Sequence, residues 1–329
     1  ARDAIRKMHK SNPEMLMHKR NANRITPGNI EDDLAQLNDF DWVIEVIIEN
    51  LDIKKELYSK ISKHIGPQTI LSSNTSTLPR SELISQLSSD ISSRFLITHF
   101  FNPPRYLPLL EIVTGPEVDP EVVDRFCRFA DINLGKRVTM CNDRPGFIGN
   151  RLGVYFIQRA FKATLDHGFS IEQADAMLGR PIGLPKTAVF ALMDLVGIDL
   201  IPHVTESLLY HLSGDDPFHQ IAGAGEEIVT AMIQEGYTGR KGKGGFYRLN
   251  REGEKKVKEA RNLLTGEYGL ANKRAAFPSA KMGKRGLSSL MDCDDQGARF
   301  VSDVLLDSLS YAAHIVPEVS EDIYSIDGA

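Results

Sequence analysis

Two side chains of this sequence have the chemistry of an acid–base pair. His99 lies near the end of a short apolar run, and Glu111 lies within the next one, after three prolines have interrupted the regular pattern. An imidazole titrates near neutral pH and can take a proton from an alcohol, while a buried carboxylate orients it and stabilises the imidazolium. We therefore predict a general base with an orienting carboxylate, although such a pair is by itself more often two unrelated side chains.

The elements around this pair predict an α/β sheet. Glu49, Ser76 and His99 each follow or end a predicted strand, and the carboxyl ends of parallel strands are where ligands of such sheets gather. Strands that alternate with helices over short connections predict right-handed parallel crossovers. The predicted order is strand, helix, strand, helix, strand, at residues 41–48, 51–65, 68–71, 79–88 and 95–100.

The pattern changes at residues 142–146, after which apolar residues recur at steps of three and four. The fold class predicted is α/β, with a partial doubly wound (Rossmann-like) parallel sheet followed by an all-helical domain. A basic glycine-rich loop follows the helices at 236–247, and a charged helix is predicted for 251–261. The predicted domains are a sheet domain with a basic arm (1–143), a helical domain (144–250), and a linker with the start of a second, truncated helical repeat (251–329).

Composition limits the possible partners. The chain has 329 residues, of which 42% are apolar and 25% charged, with a net charge of -5, so neither nucleic acid nor a membrane surface is a predicted partner. No apolar run approaches the ~20 residues that span a bilayer. The three cysteines have no zinc-type or disulfide-type spacing, which predicts a reducing, cytoplasmic compartment. His203 and His211 have no evident third ligand, so we predict no metal site.

The first 24 residues carry seven Lys or Arg against two acidic residues. Because the stretch is poor in serine and contains acids, we expect a basic helical arm cut from a longer chain rather than a targeting peptide. A solvated charged surface is the simpler interpretation.

Several motifs in series resemble the L-3-hydroxyacyl-CoA dehydrogenase family. They are EVIIEN at 45–50, SNTS at 73–76, HFFNP at 99–103, LEIV at 110–113 and RPGFIGNR at 144–151. The resemblance covers about residues 41–247 and is strongest to the dehydrogenase portion of bacterial multifunctional fatty-oxidation proteins. It implies oxidation of (S)-3-hydroxyacyl-CoA to 3-oxoacyl-CoA with NAD in fatty-acid β-oxidation, and a basic arm that approaches the phosphates of coenzyme A.

The resemblance also implies roles for particular residues. His99 is the implied base and Glu111 its orienter, while Ser76 and Asn150 are implied partners of the substrate oxygen. Each has a structural alternative, since Asn150 can cap a helix and Ser76 can serve a turn. The implied cofactor contacts are Glu49, Lys54, Ser76, Asn102 and Lys241. Glu49 and Lys54 would otherwise be a surface ion pair, and Lys241 a solvated loop lysine.

One expected feature of a dinucleotide site is missing. The sequence contains no Gly-x-Gly-x-x-Gly turn, so we expect only the second half of a nucleotide-binding sheet. This leaves two other hypotheses: a catalytically silent segment that binds CoA esters or serves as a scaffold, and a dehydrogenase of free β-hydroxy acids. The implied partners are an acyl-CoA substrate, a second copy or a second helical repeat, and a fused enoyl-CoA hydratase domain.

Overall fold

The computed structural model describes residues 1–250, 256–272 and 274–329. They form two compact units: Ala1–Ile148 with Ile315–Ala329, and Gly149–His314. The first unit therefore includes the last fifteen residues of the sequence. Each unit has a buried apolar cluster of its own.

The described residues of the first unit contain a five-stranded sheet with the strands in chain order. The first three strands are parallel, as predicted. The fourth is antiparallel to the third and parallel to the fifth. The strands are β1 (Trp42–Glu45), β2 (Ile70–Ser73), β3 (Phe95–Phe100), β4 (Leu109–Val113) and β5 (Arg137–Cys141).

The reversal at β4 was not predicted, and the length of the connection accounts for it. Because β3 ends at Phe100 and β4 begins at Leu109, eight residues join them. A parallel crossover needs about a dozen residues or more, so this connection can only return the chain antiparallel to the strand before it.

Helices cover the sheet of the first unit. Asn50 caps the helix Leu51–Ile61 (α2), since its side chain accepts from the N–H of Ile53 at 3.1 Å. Leu57, Tyr58 and Ile61 of that helix are buried. Within the predicted helix at 79–88 only Arg80–Leu83 is α-helical, and a second short helix, Ser89–Ser92, follows that range. The helix at 120–132 was not predicted. The helices up to β5 are α1 (Arg2–Met8), α2 (Leu51–Ile61), α3 (Arg80–Leu83), α4 (Ser89–Ser92) and α5 (Pro120–Ile132), with 3-10 turns at Lys19–Arg24 and Leu34–Asp39.

The second unit is mainly helical, and its helix Gln296–His314 packs along its helix Gly149–Asp166. Its helices are α6 (Gly149–Asp166), α7 (Ile171–Met177), α8 (Phe190–Val196), α9 (Leu200–His211), α10 (Glu226–Gln234), α11 (Leu287–Met291) and α12 (Gln296–His314), with 3-10 turns at Arg180–Ile182, Pro217–Gln220 and Pro278–Arg285. A last helix, α13 (Ile323–Gly328), belongs to the first unit. No described helix combines the length and the apolarity that crossing a bilayer requires.

The second unit is helical first, as predicted, and strands follow, of which only the first lies within the predicted helical domain of residues 144–250. An antiparallel meander is formed by β6 (Tyr247–Asn250), β7 (Val257–Arg261) and β8 (Tyr268–Leu270). The predicted charged helix at 251–261 is wrong for 257–261, and its first part, 251–255, lies outside the described residues. Lys, Glu and Ala favour helices intrinsically, but pairing with strands on both sides outweighs that preference.

A buried charged cluster fixes the first turn of α6. The guanidinium of Arg151, 1% exposed, donates to the hydroxyl of Tyr311 on α12 at 2.6 Å and to the carboxylate of Asp216. Asp216 also accepts from the N–H of Phe218 at 2.8 Å, and the ring of Tyr155 stacks on Tyr311 with 3.8 Å between centroids. The cluster thus ties the start of α6 to two distant segments.

We expect Asp216→Asn to lower the free energy of unfolding by about 1.5–3 kcal/mol, because it removes the negative charge to which the buried guanidinium of Arg151 and the hydroxyl of Tyr311 donate. Urea denaturation followed by circular dichroism measures this. Asp215→Asn is the matched control, since Asp215 is exposed. Equal stability of the two variants would show that the cluster contributes little.

Candidate active site

The antiparallel register of β3 and β4 brings His99 and Glu111 together. The two residues are direct cross-strand partners, and Nδ1 of His99 lies 2.6 Å from Oε2 of Glu111. Glu111 is fully buried and His99 is 6% exposed. Because Nδ1 faces the carboxylate, Nε2 is the nitrogen left to exchange a proton with a ligand, and it has no partner among the described residues.

Glu111 has further contacts that hold its second oxygen. Oε1 accepts from the backbone N–H of Ile148 at 3.0 Å, and the thiol of Cys141 lies 3.8 Å away. Burial, with the Glu111 charge adding to it, raises the pKa of the Cys141 thiol, so the thiol stays protonated and can donate. Phe101 and Phe147 pack against the ring of His99, at 4.6 and 5.8 Å between centroids. The pair is therefore held from several sides.

A polar turn after β2 surrounds a second carboxylate, that of Glu49. Its Oε1 accepts from the hydroxyl of Thr75 at 2.5 Å and from the backbone N–H of Ser76 at 3.1 Å. The hydroxyl of Ser76 has no partner among the described residues, so it can bind a ligand. Because β2 and β3 are parallel neighbours, this turn and His99 lie at the same edge of the sheet. The structure thus brings Glu49 and Ser76 together, as it does His99 and Glu111.

Asn74, which joins this turn to β3, was not among the predicted site residues. The side-chain oxygen of Asn74 accepts from the backbone N–H of Phe100 at 2.9 Å, next to His99. Its position directly after a buried strand could have drawn attention to it. Asn74 therefore fixes the turn that carries Ser76 relative to the end of β3.

Two predicted cofactor contacts, Lys54 and Asn102, differ in their exposure to solvent. Lys54 is 1% exposed, and its ammonium bonds to Glu45 at 2.7 Å rather than facing solvent. Asn102 is exposed in the connection between β3 and β4. The interpretation of Glu49 and Lys54 as a surface ion pair is wrong, because the lysine and its nearest partner are buried.

Asn150 and Lys241 belong to the second unit. Asn150 is the second residue of α6 and is half-buried, directly before the fixed Arg151. Lys241 forms an ion pair with Asp199 at 2.7 Å. Its loop is held by Asp194, whose carboxylate accepts from the N–H groups of Phe246 and Tyr247 at 2.7 and 2.8 Å.

The residues of the first unit fit the nicotinamide-ribose end of a dinucleotide. Glu49 offers a fixed acceptor at the carboxyl ends of the strands, with part of its side chain open to solvent. Burial acts to raise the pKa of Glu49, but hydrogen bonds from Thr75 and Ser76 and the charge of Lys54 lower it below its usual value. Among the described residues, no group of three or more His, Cys, Asp or Glu is placed to hold a metal ion.

Two family models together match most of the chain. A family model described as "3-hydroxyacyl-CoA dehydrogenase, NAD binding domain" matches residues 1–144, and one described as "3-hydroxyacyl-CoA dehydrogenase, C-terminal domain" matches residues 146–249. A Rickettsia felis protein, whose name is that of a trifunctional enzyme of a fatty acid oxidation complex, is 38% identical over 322 residues. The match covers 98% of this chain but 44% of that protein, so the chain spans less than half of this relative's length.

Other relatives are closer in length. A Deinococcus radiodurans protein named "Probable 3-hydroxyacyl-CoA dehydrogenase" is 38% identical over 252 residues, which is 77% of this chain and 71% of that protein. The solved structure of FadB2 from M. tuberculosis superposes with a TM-score of 0.61 at 25% identity, over 75% of this chain and 84% of that one.

We expect Asp194→Asn to flatten the dependence of stability on pH between about 4 and 7. Burial raises the pKa of Asp194 to about 6, against 3.8 as the usual value. The folded state therefore binds a proton more tightly than the unfolded state, and this stabilisation is complete below about pH 4 and lost as pH rises through about 6. It amounts to about 2–3 kcal/mol.

Urea midpoints of both proteins across this range test the expectation. Parallel profiles for the wild type and Asp194→Asn would contradict it. Asp215→Asn, at an exposed position, is the control and should reproduce the wild-type profile.

Proposed function

Because the chain belongs to the 3-hydroxyacyl-CoA dehydrogenase family, we propose that it oxidises the 3-hydroxyl of (S)-3-hydroxyacyl-CoA to a ketone with NAD in fatty-acid oxidation. The observation that carries this proposal is the 2.6 Å contact between Nδ1 of His99 and Oε2 of Glu111 at the strand ends. That contact gives the imidazole a fixed orientation and a counter-charge, which a general base for an alcohol requires.

In the proposed reaction the substrate loses a proton and a hydride. Nε2 of His99 takes the hydroxyl proton, and Glu111 stabilises the imidazolium that forms. The hydroxyl of Ser76 and the amide of Asn150 hold the substrate oxygen. When bound, NAD supplies the acceptor for the hydride from C3. Lys241 and Asn102 remain proposed contacts of the cofactor, as do Glu49 and Ser76.

We further propose that full dinucleotide binding needs a strand beyond β1. The described residues leave β1 at an edge of the sheet, with Ile44 exposed. An added parallel strand with a glycine-rich turn would pair there and receive the pyrophosphate. The lack of such a turn in the sequence supports this part of the proposal.

The N-terminal arm is proposed to bind the phosphates of coenzyme A. All seven of its Lys and Arg side chains are exposed. Loop residues after β3 anchor the arm, since Arg105 and Tyr106 donate to the backbone oxygen of Glu14 at 2.5 and 2.8 Å. Exposed cations on an anchored segment suit a ligand with several phosphate charges.

The setting in a larger protein is also a proposal. The name of the Rickettsia felis relative suggests that this chain works as the dehydrogenase segment of a multifunctional protein. Three further points stay predictions. They are a fused enoyl-CoA hydratase domain, a homodimer or packing against a second helical repeat, and a cytoplasmic location.

We expect His99→Gln to lower turnover by roughly two to four decades, the usual effect of losing a general base. Absorbance of NADH at 340 nm measures it with (S)-3-hydroxybutyryl-CoA, in the natural full-length polypeptide. His167→Gln is the control, because His167 lies on the second unit and pairs with Asp303. Near-normal turnover in His99→Gln would remove this histidine from the mechanism.

Calorimetry and turnover measurements separate the dehydrogenase from the other two hypotheses. We expect the dehydrogenase to bind both NAD and acetoacetyl-CoA. Binding of acetoacetyl-CoA without NAD, by the full-length polypeptide, would favour a catalytically silent CoA-ester-binding segment. Equal turnover of 3-hydroxybutyrate and its CoA ester would instead favour a dehydrogenase of free acids.

A further inference from the structure

A second buried carboxylate, that of Glu45, ends β1 and has no role in the reaction described above. Glu45 is 3% exposed. Its Oε1 accepts from the ammonium of Lys54 at 2.7 Å and from the N–H of Ile47 at 2.6 Å. Its Oε2 accepts from the hydroxyls of Tyr58 and Ser73, both at 2.7 Å. These donors come from the segment after β1, from α2 and from β2, so the carboxylate joins β1 to two other elements of the first unit.

Lys54 uses its donors inside the protein. Besides Glu45, its ammonium contacts the backbone oxygen of Ile47 and Oε2 of Glu49, both at 3.3 Å. Hydrogen bonds to Glu45 and Ile47 engage two of the three N–H donors of the ammonium, and Glu49 adds an ion pair. The lysine is 1% exposed, so these contacts fix its ammonium inside the unit.

Glu49 stands between Lys54 and the ligand side of the sheet. Its Oε1 faces the polar turn, accepting from Thr75, from the N–H of Ser76 and from the hydroxyl of Thr77 at 3.1 Å. Its Oε2 faces Lys54, and part of the side chain is exposed. Glu45, Lys54 and Glu49 thus form a trio. Within this trio, the carboxylate that a ligand can reach is that of Glu49, which the buried Lys54 contacts.

We propose that Glu45 and Lys54 are positioning residues, in which Glu45 holds Lys54 and Lys54 holds the carboxylate of Glu49 where it accepts hydrogen bonds from the nicotinamide-ribose part of the cofactor. This proposal rests on the proposed function for the identity of the ligand.

The charges of the trio explain why a lysine is needed between the carboxylates. Two carboxylates flank one ammonium, and Tyr58, Thr75 and Thr77 contribute only neutral hydroxyls. Without the lysine charge, two like charges would share a partly dry site, and one of them would take up a proton. The pKa of Glu49 already lies below its usual value despite its burial, with the charge of Lys54 among the causes. Loss of Lys54 should therefore raise the pKa of Glu49.

The first experiment needs no cofactor. We expect Lys54→Met to raise the pKa of Glu49 by about one pH unit or more, measured by carboxyl-carbon NMR titration with Glu49→Gln used to assign the signal. Lys54→Arg keeps the charge and should keep the low pKa. An unchanged pKa in Lys54→Met would overturn the proposal, whether or not the protein is a dehydrogenase.

The second experiment uses kinetics of the full-length polypeptide. We expect Lys54→Met and Glu45→Gln to raise the KM for NAD about tenfold, the effect of one hydrogen bond to a charged group, while kcat changes less than about threefold. Lys54→Arg should restore most of the affinity. A fall in kcat with an unchanged KM would contradict a positioning role at the cofactor.

Glu56→Gln is the matched control, because Glu56 lies on the same helix in an exposed ion pair with Lys60 at 2.7 Å. It should change neither the KM for NAD nor the pKa of Glu49. If Lys54→Met fails to fold by circular dichroism, Glu45→Gln and Lys54→Arg still decide the outcome through their KM values. If the wild type forms no NADH, the proposed function fails, and the NMR titration still tests the trio.

Discussion

The antiparallel register between β3 and β4 is the constraint on which the candidate site depends. It makes His99 and Glu111 direct partners across two hydrogen-bonded strands. Side chains of cross-strand partners point to the same face of a sheet, so the imidazole and the carboxylate meet without any flexible element between them. The short proline-containing connection enforces the antiparallel direction, since it is too short for a parallel crossover. The acid–base geometry therefore follows from strand pairing rather than from loop packing.

The first unit uses buried carboxylates twice in the same way. Glu111 and Glu45 are almost fully buried, and each accepts from several donors. A buried charge is tolerated only when it is paired and hydrogen-bonded, so each carboxylate requires a cation or a proton donor beside it. Glu111 orients an imidazole, and Glu45 holds an ammonium. In both cases the buried group fixes a second group that lies closer to the ligand side of the sheet.

The elements near the site followed their sequence patterns closely, while others did not. The apolar runs that became β1, β2 and β3 lie side by side in the sheet, where β2 pairs with both of the others. Local pattern and tertiary structure therefore agree there. Residues 257–261 form a strand although their Lys, Glu and Ala content favours a helix, because β6 and β8 pair with them on both sides. The alternative interpretation of Lys54 as a member of a surface ion pair was wrong for a similar reason. A strand residue nine positions earlier, Glu45, takes its charge into the interior.

The sequence by itself determined which polar residues end the strands and in what order, because apolar runs, turn residues and helical periodicity are local features of the chain. It also carried the family motifs. Only the tertiary structure decided that β4 returns antiparallel, that Glu111 faces His99, and that Lys54 lies between two carboxylates. Such contacts join segments that are separated along the chain, and their geometry depends on which strands pair and in which register.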